Sequence, residues 1–300
     1  MKTTRRETLK MVSLGLTAAV FPINRFMAMG LEQDFSTELI RNNVGMFHGR
    51  GGTIGWLINK EGIAVVDSQF PEFANKMIGF IEEKSDKGID FLFNTHHHGD
   101  HTAGNISFKN KAAKVVAHAN SKINQEKTAS SRGNTAEQLL PDTTFADSWT
   151  GKAGDESITL TYFGAAHTNG DAVVHFENAN VAHVGDLVFN RRHPYIDRPA
   201  GANIDHWITV LSDIRKHYDK DTIFICGHAG NGYEVKCNME DLKAKEDYLE
   251  KLLKVVKAQV KAGKTEEQVL ALTEIPGVSW QDDNIQRPLK AAYEEVIQNK

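Results

Sequence analysis

Three hundred residues, 40% apolar and 25% charged, with modest glycine and few prolines, exclude a disordered, collagenous or membrane-spanning chain and supply enough apolar material for a sizeable core. A formal net charge of -4 argues against a nonspecific grip on nucleic acid, which needs a basic footprint. No Pro/Ser/Gly-rich linker, internal repeat or low-complexity tract divides the chain, so one α/β unit is expected after the N-terminal segment.

Residues 1–30 stand apart from that unit. A basic opening, Met1 to Lys10, precedes an apolar run from Met11 to Ile23 and small residues around Ala28, the plan of a signal peptide. The alternative is a basic amphipathic start on a cytosolic protein. Thr4-Arg5-Arg6-Glu7-Thr8-Leu9-Lys10 resembles the twin-arginine export signal, with Thr8 where that signal usually has Phe, and so implies export to the periplasm. The apolar run is shorter than the roughly 20 residues that span a bilayer, so no stable membrane insertion is expected after processing. Removing residues 1–30 takes away five basic residues against Glu7 and moves the net charge from -4 to -8.

Along residues 31–300, bursts of apolar residues from Val44 to Asp67, broken by Gly49, Gly51, Gly52, Gly55 and Gly62, predict consecutive strands joined by tight turns. Phe73, Met77, Phe80 and Ile81 recur at helical spacing within Glu72 to Lys84. Ile89 to Asn94 reads as a buried strand leading into Thr95-His96-His97-His98-Gly99-Asp100-His101. A strand over Lys114 to Ala117 and a polar helix through Ser121 to Lys127 follow, then a loop-rich passage. Further strands are expected at Ser157 to Phe163, Ala172 to Phe176 and Val181 to Val184, a helix at Ile204 to His217, and a last strand at Ile223 to Cys226. Asn238 to Lys261 is an amphipathic helix that opens the C-terminal helical part. Two sets of mainly antiparallel strands with helices outside each fit a four-layer αββα sandwich. Cys226 and Cys237 either pair, which an oxidising compartment would permit, or remain buried thiols.

The chemistry concentrates in His96 to His101. Residues two apart in extended chain point the same way, so His96 and His98 can grip one ion, while Asp100 and His101 face a second after Gly99 lets the backbone turn. His167, Asp186 and His228 each follow a strand, which is how a sheet scaffold gathers a site from distant positions. Asp171, four residues after His167, either accepts a ligand's second ring N–H or braces its own turn. His97 points away from its neighbours and is expected in a supporting or exposed place. His175, His183, His206 and His217 read as structural, and His118 as either site wall or surface.

These motifs resemble the metallo-β-lactamase superfamily, matching its H-x-H-x-D-H signature and its later His, Asp and His in order across most of residues 40 to 235. The resemblance implies a first metal on His96, His98 and His167, a second on Asp100, His101 and His228, and Asp186 between them. The donor set suits two zinc ions, with manganese or iron as alternatives. Flavodiiron relatives usually have Glu where this chain has His98, which favours zinc hydrolysis over iron-dependent redox chemistry. The implied reaction is attack by metal-bound hydroxide on an ester, thioester, lactone or lactam-type bond of a small molecule, with Asp100 orienting the water and shuttling its proton.

For substrate contacts, Asn190-Arg191-Arg192-His193-Pro194-Tyr195 is rich in groups that bind anions or stack, which nominates Arg191, Arg192 and Tyr195; an exposed basic turn is the alternative. His48, in a Gly-rich turn that overhangs the metals in relatives, is a further candidate. Against a dedicated β-lactamase, one lactamase subclass has Cys where this chain has Asp186, and a carboxylate-binding Lys where it has Phe189. The stretch from Asn180 to Ile196 is most similar to quinoprotein-relay metallohydrolases, within a group that includes glyoxalase II-like thioesterases; no glutathione-binding segment is evident. A noncatalytic metal binder and a nuclease are the remaining alternatives.

Overall fold

The computed structural model describes residues 34–135, 138–280 and 285–298. The signal peptide expected over residues 1–30 lies outside them. Within them, four strands follow in succession: β1 (Ser36–Arg41), β2 (Val44–His48), β3 (Ile54–Ile58) and β4 (Ile63–Val66). Helix α1 (Pro71–Glu82), started by Pro71 at a position where a missing N–H costs nothing, carries the chain back to β5 (Ile89–Asn94). The single-turn helix α2 (Gly99–Thr102), a 3-10 turn over Ala103–Phe108, β6 (Ala112–His118), α3 (Ala119–Arg132) and β7 (Thr143–Phe145) complete the first half. These seven strands form one sheet in the order β1 to β7.

The second sheet is built from β8 (Ser148–Ala153), β9 (Glu156–Thr161), β10 (Val173–Phe176), β11 (Val181–Asn190), β12 (Ile223–Ala229) and β13 (Lys236–Cys237), in the order β13-β12-β11-β10-β9-β8. Helix α4 (Ile204–His217) crosses from β11 to β12. Helices α5 (Met239–Lys261), α6 (Glu266–Leu270) and α7 (Gln286–Gln298) follow β13.

The layering follows from alternation along the strands. In β4, Ile63 and Val65 pack with Phe73, Met77 and Ile81 of α1, whereas Ala64 and Val66 join Leu160, Val174 and Val184 of the second sheet. Val115 and Val116 of β6 divide in the same way. The first sheet therefore has α1 on one face and the second sheet on the other. All ten residues of β11 are buried, and Trp207, Leu211, Leu249 and Leu253 of α4 and α5 join the same core. The result is the expected αββα sandwich.

Several details depart from expectation. The "mainly antiparallel" reading fails for β4-β5-β6-β7 and β11-β12, which run parallel because α1, α3 and α4 return the chain to the same end of the sheet. The passage read as loop-rich contains β7 and β8, whose Thr- and Ser-bearing sequences conceal strand alternation. Ile223 to Cys226 is not the last strand, since β13 pairs with β12 at the sheet edge. Cys226 and Cys237 are both buried free thiols, with their sulfurs 3.2 Å apart.

Candidate metal centre

Strand β5 delivers Thr95 to His98 at the end of the first sheet. His98 is the extended residue that starts α2, and Asp100 and His101 lie in its single turn. His167 sits in the loop between β9 and β10, His228 near the end of β12. Asp186 departs from the strand-end expectation: it lies inside β11, where Gly185 at φ +50° interrupts the register with β12. That irregularity turns its carboxylate toward the first sheet. Gly227 keeps space for it, since a Cβ there would lie 1.9 Å from Asp186 Oδ1.

All seven residues nominated from the sequence converge. His96 Nε2 and His167 Nε2 lie 3.0 and 2.9 Å from His98 Nδ1, and 3.8 and 3.5 Å from Asp186 Oδ2. On the other carboxylate oxygen, Asp186 Oδ1 is 3.1 Å from His101 Nε2 and 3.5 Å from His228 Nε2. Those two nitrogens are 3.4 Å apart, and Asp100 Oδ2 is 3.1 Å from the second and 3.9 Å from the first. Four donors at about 2.0–2.2 Å around a tetrahedral cation stand roughly 3.3–3.6 Å from one another, so both sets have the size of a cation site.

The hydrogen bonds behind the rings dictate which nitrogens are bare. His167 Nδ1–H donates to Tyr195 O at 2.9 Å, and His98 Nε2–H to Asp197 Oδ2 at 2.9 Å. Thr95 Oγ1 donates to Asp67 Oδ2, so it can only accept from His96 Nδ1–H. His101 Nδ1–H donates to Asp67 Oδ2 at 2.7 Å. With those protons placed, the inward nitrogens of His96, His98 and His167 present lone pairs to each other and to a carboxylate. Asp186 Oδ1 is buried without a hydrogen-bond donor among the described residues. Converging acceptors with no donor fit a divalent cation, and the far-side partners are of the kind that orient metal-binding histidines.

The electrostatics agree. Burial lowers the pKa of His167 to about 3 and takes His96 well below its ordinary value, keeping both rings neutral. For His101 burial acts against the charge, but Asp186, Asp67 and Asp100 outweigh it and hold the pKa well above the usual value, marking a spot that draws positive charge. Asp186 and Asp100 stay ionised: burial opposes this, but His228 and His101 hold Asp186 well below the ordinary range, and His101 and His228 hold Asp100 at about 2.

Of the substrate candidates, Arg192 and Tyr195 line a cleft of about 560 Å³ over the donors. Arg191 does not; it lies at φ 52°, pairs with Asp241 at 3.2 Å and covers the Tyr233 ring. His48 ends β2 outside the residues that line the cleft. Asp171 braces its turn, accepting from Thr168 N and Oγ1. His97 is buried, with Nε2 3.4 Å from Asp197. His118 caps α3 and bonds Ala146 O, and His183 bonds Thr53 O.

Sequence reasoning missed Asp67 and Asp197. Asp67 closes an apolar strand, a signal that could have been read; Asp197 meets His98 across 99 residues, for which local sequence has no signal.

A profile of the metallo-beta-lactamase superfamily matches residues 49–228. Metallo-beta-lactamase IND-1 of Chryseobacterium indologenes is 24% identical over 206 residues, 65% of this chain and 83% of that protein. A type 2 metallo-beta-lactamase of Bacillus cereus is 24% identical over 196 residues, 64% of this chain and 73% of the relative. Among solved structures, a metallo-beta-lactamase from Pontibacter korlensis superposes with a TM-score of 0.59 at 19% identity, covering 72% of this chain and 99% of that one. A double mutant of the sec-alkyl sulfatase PisA1 gives a TM-score of 0.69 at 13% identity over 86% of this chain and 50% of the sulfatase.

Proposed function

This chain belongs to the metallo-beta-lactamase superfamily, and from that membership and the donor geometry we propose that it is a dizinc hydrolase of a small-molecule ester, thioester, lactone or lactam-type bond. The observation that carries the reading is the pair of acceptor sets sharing the two oxygens of Asp186. His96, His98 and His167 would hold one zinc, Asp100, His101 and His228 the other, with Asp186 between them. All-imidazole nitrogen with carboxylate suits zinc. Bound there, two zinc ions would supply a water of lowered pKa as nucleophile and a Lewis acid for the electrophilic carbonyl.

The chain's own residues do the remaining work. Asp67 and Asp197 hold the far nitrogens of His101 and His98, so the rings neither rotate nor change tautomer during turnover. Asp100 alone among the carboxylates in the two donor sets has a third of its side chain open to the cleft, so with Oδ2 in the donor set it can orient the attacking water and accept its proton at Oδ1. Phe189, stacked on the His228 ring at 5.2 Å, walls one side with apolar surface. The signal-like residues 1–30 support a periplasmic location.

A dedicated β-lactamase is the second reading, favoured by the names of the relatives and disfavoured by Phe189 at the position of the lactamase lysine. Elemental analysis of the purified mature protein, coupled to a panel of a chromogenic cephalosporin, thioesters, lactones and aryl esters, tests both. Two equivalents of zinc, and hydrolysis that chelation abolishes and zinc restores, are expected. Full turnover by a metal-free preparation or by Asp186→Ala would refute the proposal, and iron with oxygen consumption would replace it with redox chemistry.

A further inference from the structure

We infer that Glu295, on the C-terminal helix α7, is a positioning residue for the first donor set: through Arg198 and the start of α4 it fixes the segment that holds His98 and His167 from behind. The inference rests on the reading of these residues as zinc ligands. It adds a dependence on a helix well past His228, the last donor in the chain.

Two of the three imidazoles of that set take their orientation from one short stretch. Asp197 Oδ2 accepts from His98 Nε2–H at 2.9 Å, and Tyr195 O from His167 Nδ1–H at 2.9 Å. The stretch belongs to the connection between β11 and α4, whose one regular piece is a 3-10 turn over Arg198–Ala200. Its shape is therefore imposed by bonds to its surroundings. Backbone bonds tie it to the loop of His167: Asp197 N to His167 O at 3.3 Å, Asn169 N to Ala200 O at 2.9 Å and Asn203 N to Ala166 O at 3.0 Å. Side chains tie it to α7. Arg198, next to Asp197, donates from Nη1 to Glu295 Oε2 at 2.7 Å and to Ala202 O at 2.6 Å, and from Nη2 to Gln298 Oε1 at 2.6 Å.

Glu295 does more than pair with this guanidinium. It is buried, and its oxygens also accept from the first two N–H groups of α4, Ile204 N at 2.8 Å and Asp205 N at 3.0 Å. Those groups have no partner within their own helix, and the next, His206 N, donates to Asn203 Oδ1. One buried carboxylate thus pins both Arg198 and Ile204, the two ends of the turn that follows Asp197. Truncating it leaves the guanidinium without its counter-charge and two N–H groups bare, which displaces the turn and with it Asp197 and Tyr195. The other backed imidazoles are anchored elsewhere. His96, through Thr95, and His101, directly, rest on Asp67 just past β4. A disturbance at Glu295 therefore reaches His98 and His167 and spares His101.

The test compares Glu295→Ala with Leu289→Ala, a truncation on the buried face of the same helix that controls for a general loosening of α7. In chelator competition on the zinc-loaded mature protein, Glu295→Ala is expected to weaken one zinc equivalent about tenfold and leave the other as in wild type. That is the low end of the range for losing an orienting partner, because Glu295 acts one step further out. Imidazole 15N–1H spectra identify the site: the ring N–H protons of His98 and His167 should exchange with water about tenfold faster, and that of His101 at the wild-type rate. Glu295→Gln keeps an acceptor oxygen for α4, so it should restore part of both, and it carries the comparison if Glu295→Ala does not fold. Equal weakening of both equivalents, the same changes in Leu289→Ala, or wild-type exchange at His98 and His167 overturns the inference. If the wild type binds no zinc, the zinc reading fails by itself, and the exchange comparison on the metal-free protein still decides. Faster exchange confined to His98 and His167 supports the positioning role; unchanged or uniformly faster exchange overturns it.

Discussion

Asp67→Asn upsets the proton arrangement behind both donor sets, since Asp67 Oδ2 accepts from His101 Nδ1 and from the Thr95 hydroxyl bonded to His96. Asp67 is fully buried at φ 63°, a left-handed conformation that Asn also tolerates, so the substitution preserves backbone and shape. Its Oδ1 accepts from Thr95 N at 2.8 Å, and that backbone donor cannot reverse. The new amide must therefore keep its oxygen there and place its NH2 where Oδ2 received His101 Nδ1–H. His101 then has to expose a lone pair at Nδ1 and carry its proton on Nε2, the atom 3.1 Å from Asp186 Oδ1 and 3.4 Å from His228 Nε2. A cation at Nε2 would need the ring proton on Nδ1, where it would face the new amide's NH2 instead of a carboxylate oxygen. Loss of such an orienting partner typically weakens a metal site about 10- to 100-fold, or about 1.4–2.7 kcal/mol. The same NH2 replaces the oxygen to which Thr95 Oγ1 donates, so the hydroxyl that accepts from His96 Nδ1–H is disturbed as well. Competition with a chromophoric chelator should show both zinc equivalents weakened, the one at His101 by that factor. Two equivalents at wild-type affinity would refute the tautomer argument.

Three other outcomes follow from the same coordinates. Gly227→Ala puts a methyl group 1.9 Å from Asp186 Oδ1, and elemental analysis should find both zinc equivalents reduced while circular dichroism shows the fold intact. Burial sets the pKa of His167 at about 3, below its unfolded value, so its contribution to stability is present above pH 6.5 and is lost as pH falls from there toward 3; urea unfolding of the metal-free protein should show a loss of up to several kcal/mol that His167→Gln flattens, against an opposing contribution from His101. Lys245 is buried without a hydrogen-bond partner among the described residues, within about 5 Å of the Phe189, Trp207 and Tyr248 rings, and burial takes its pKa well below the usual value. Lys245→Met should raise stability by about 1–3 kcal/mol in urea unfolding, and an equal loss would show instead a charged amine held by the rings.

What was legible in the sequence had a local cause. His96, His98, Asp100 and His101 share one strand exit, and their spacing alone sorts them into two facings. Helix α4 falls on the expected Ile204 to His217, because Asn203 caps its first turn and the apolar residues keep helical spacing. Strands β7, β8 and β13 were hidden because edge strands have one wet face or very short length and so lack an apolar run. Arg191 looked equivalent to Arg192 in sequence, but its left-handed backbone directs it to Asp241 on α5, a partner 50 residues away. Asp171 had two readings, and its bonds to Thr168 decide for the turn. Asp197 was the least accessible of all, since its role exists only once the β11–α4 connection folds over the α2 start.

The site also lies on the seam of the sandwich, and this ties metal affinity to folding. One donor set joins His96 and His98 of the first sheet to His167 and Asp186 of the second; the other joins Asp100 and His101 to His228. Beside them Thr53 N and Oγ1 both donate to Gly227 O, Ala172 N donates to Thr95 O at 2.7 Å, and His183 bonds Thr53 O. Direct bonds thus register the two sheets, while in the first donor set the inward lone pairs of His96, His98 and His167 repel one another and Asp186 Oδ2 across the same seam. Cations bound there would convert that repulsion into a cross-link, adding about 2.7 kcal/mol per site at a free metal concentration of 100 Kd. Asp67→Asn should therefore lower the urea midpoint chiefly when zinc is present. A deficit of the same size in the metal-free protein would mean that Asp67 holds the sheets through Thr95 rather than through the metal.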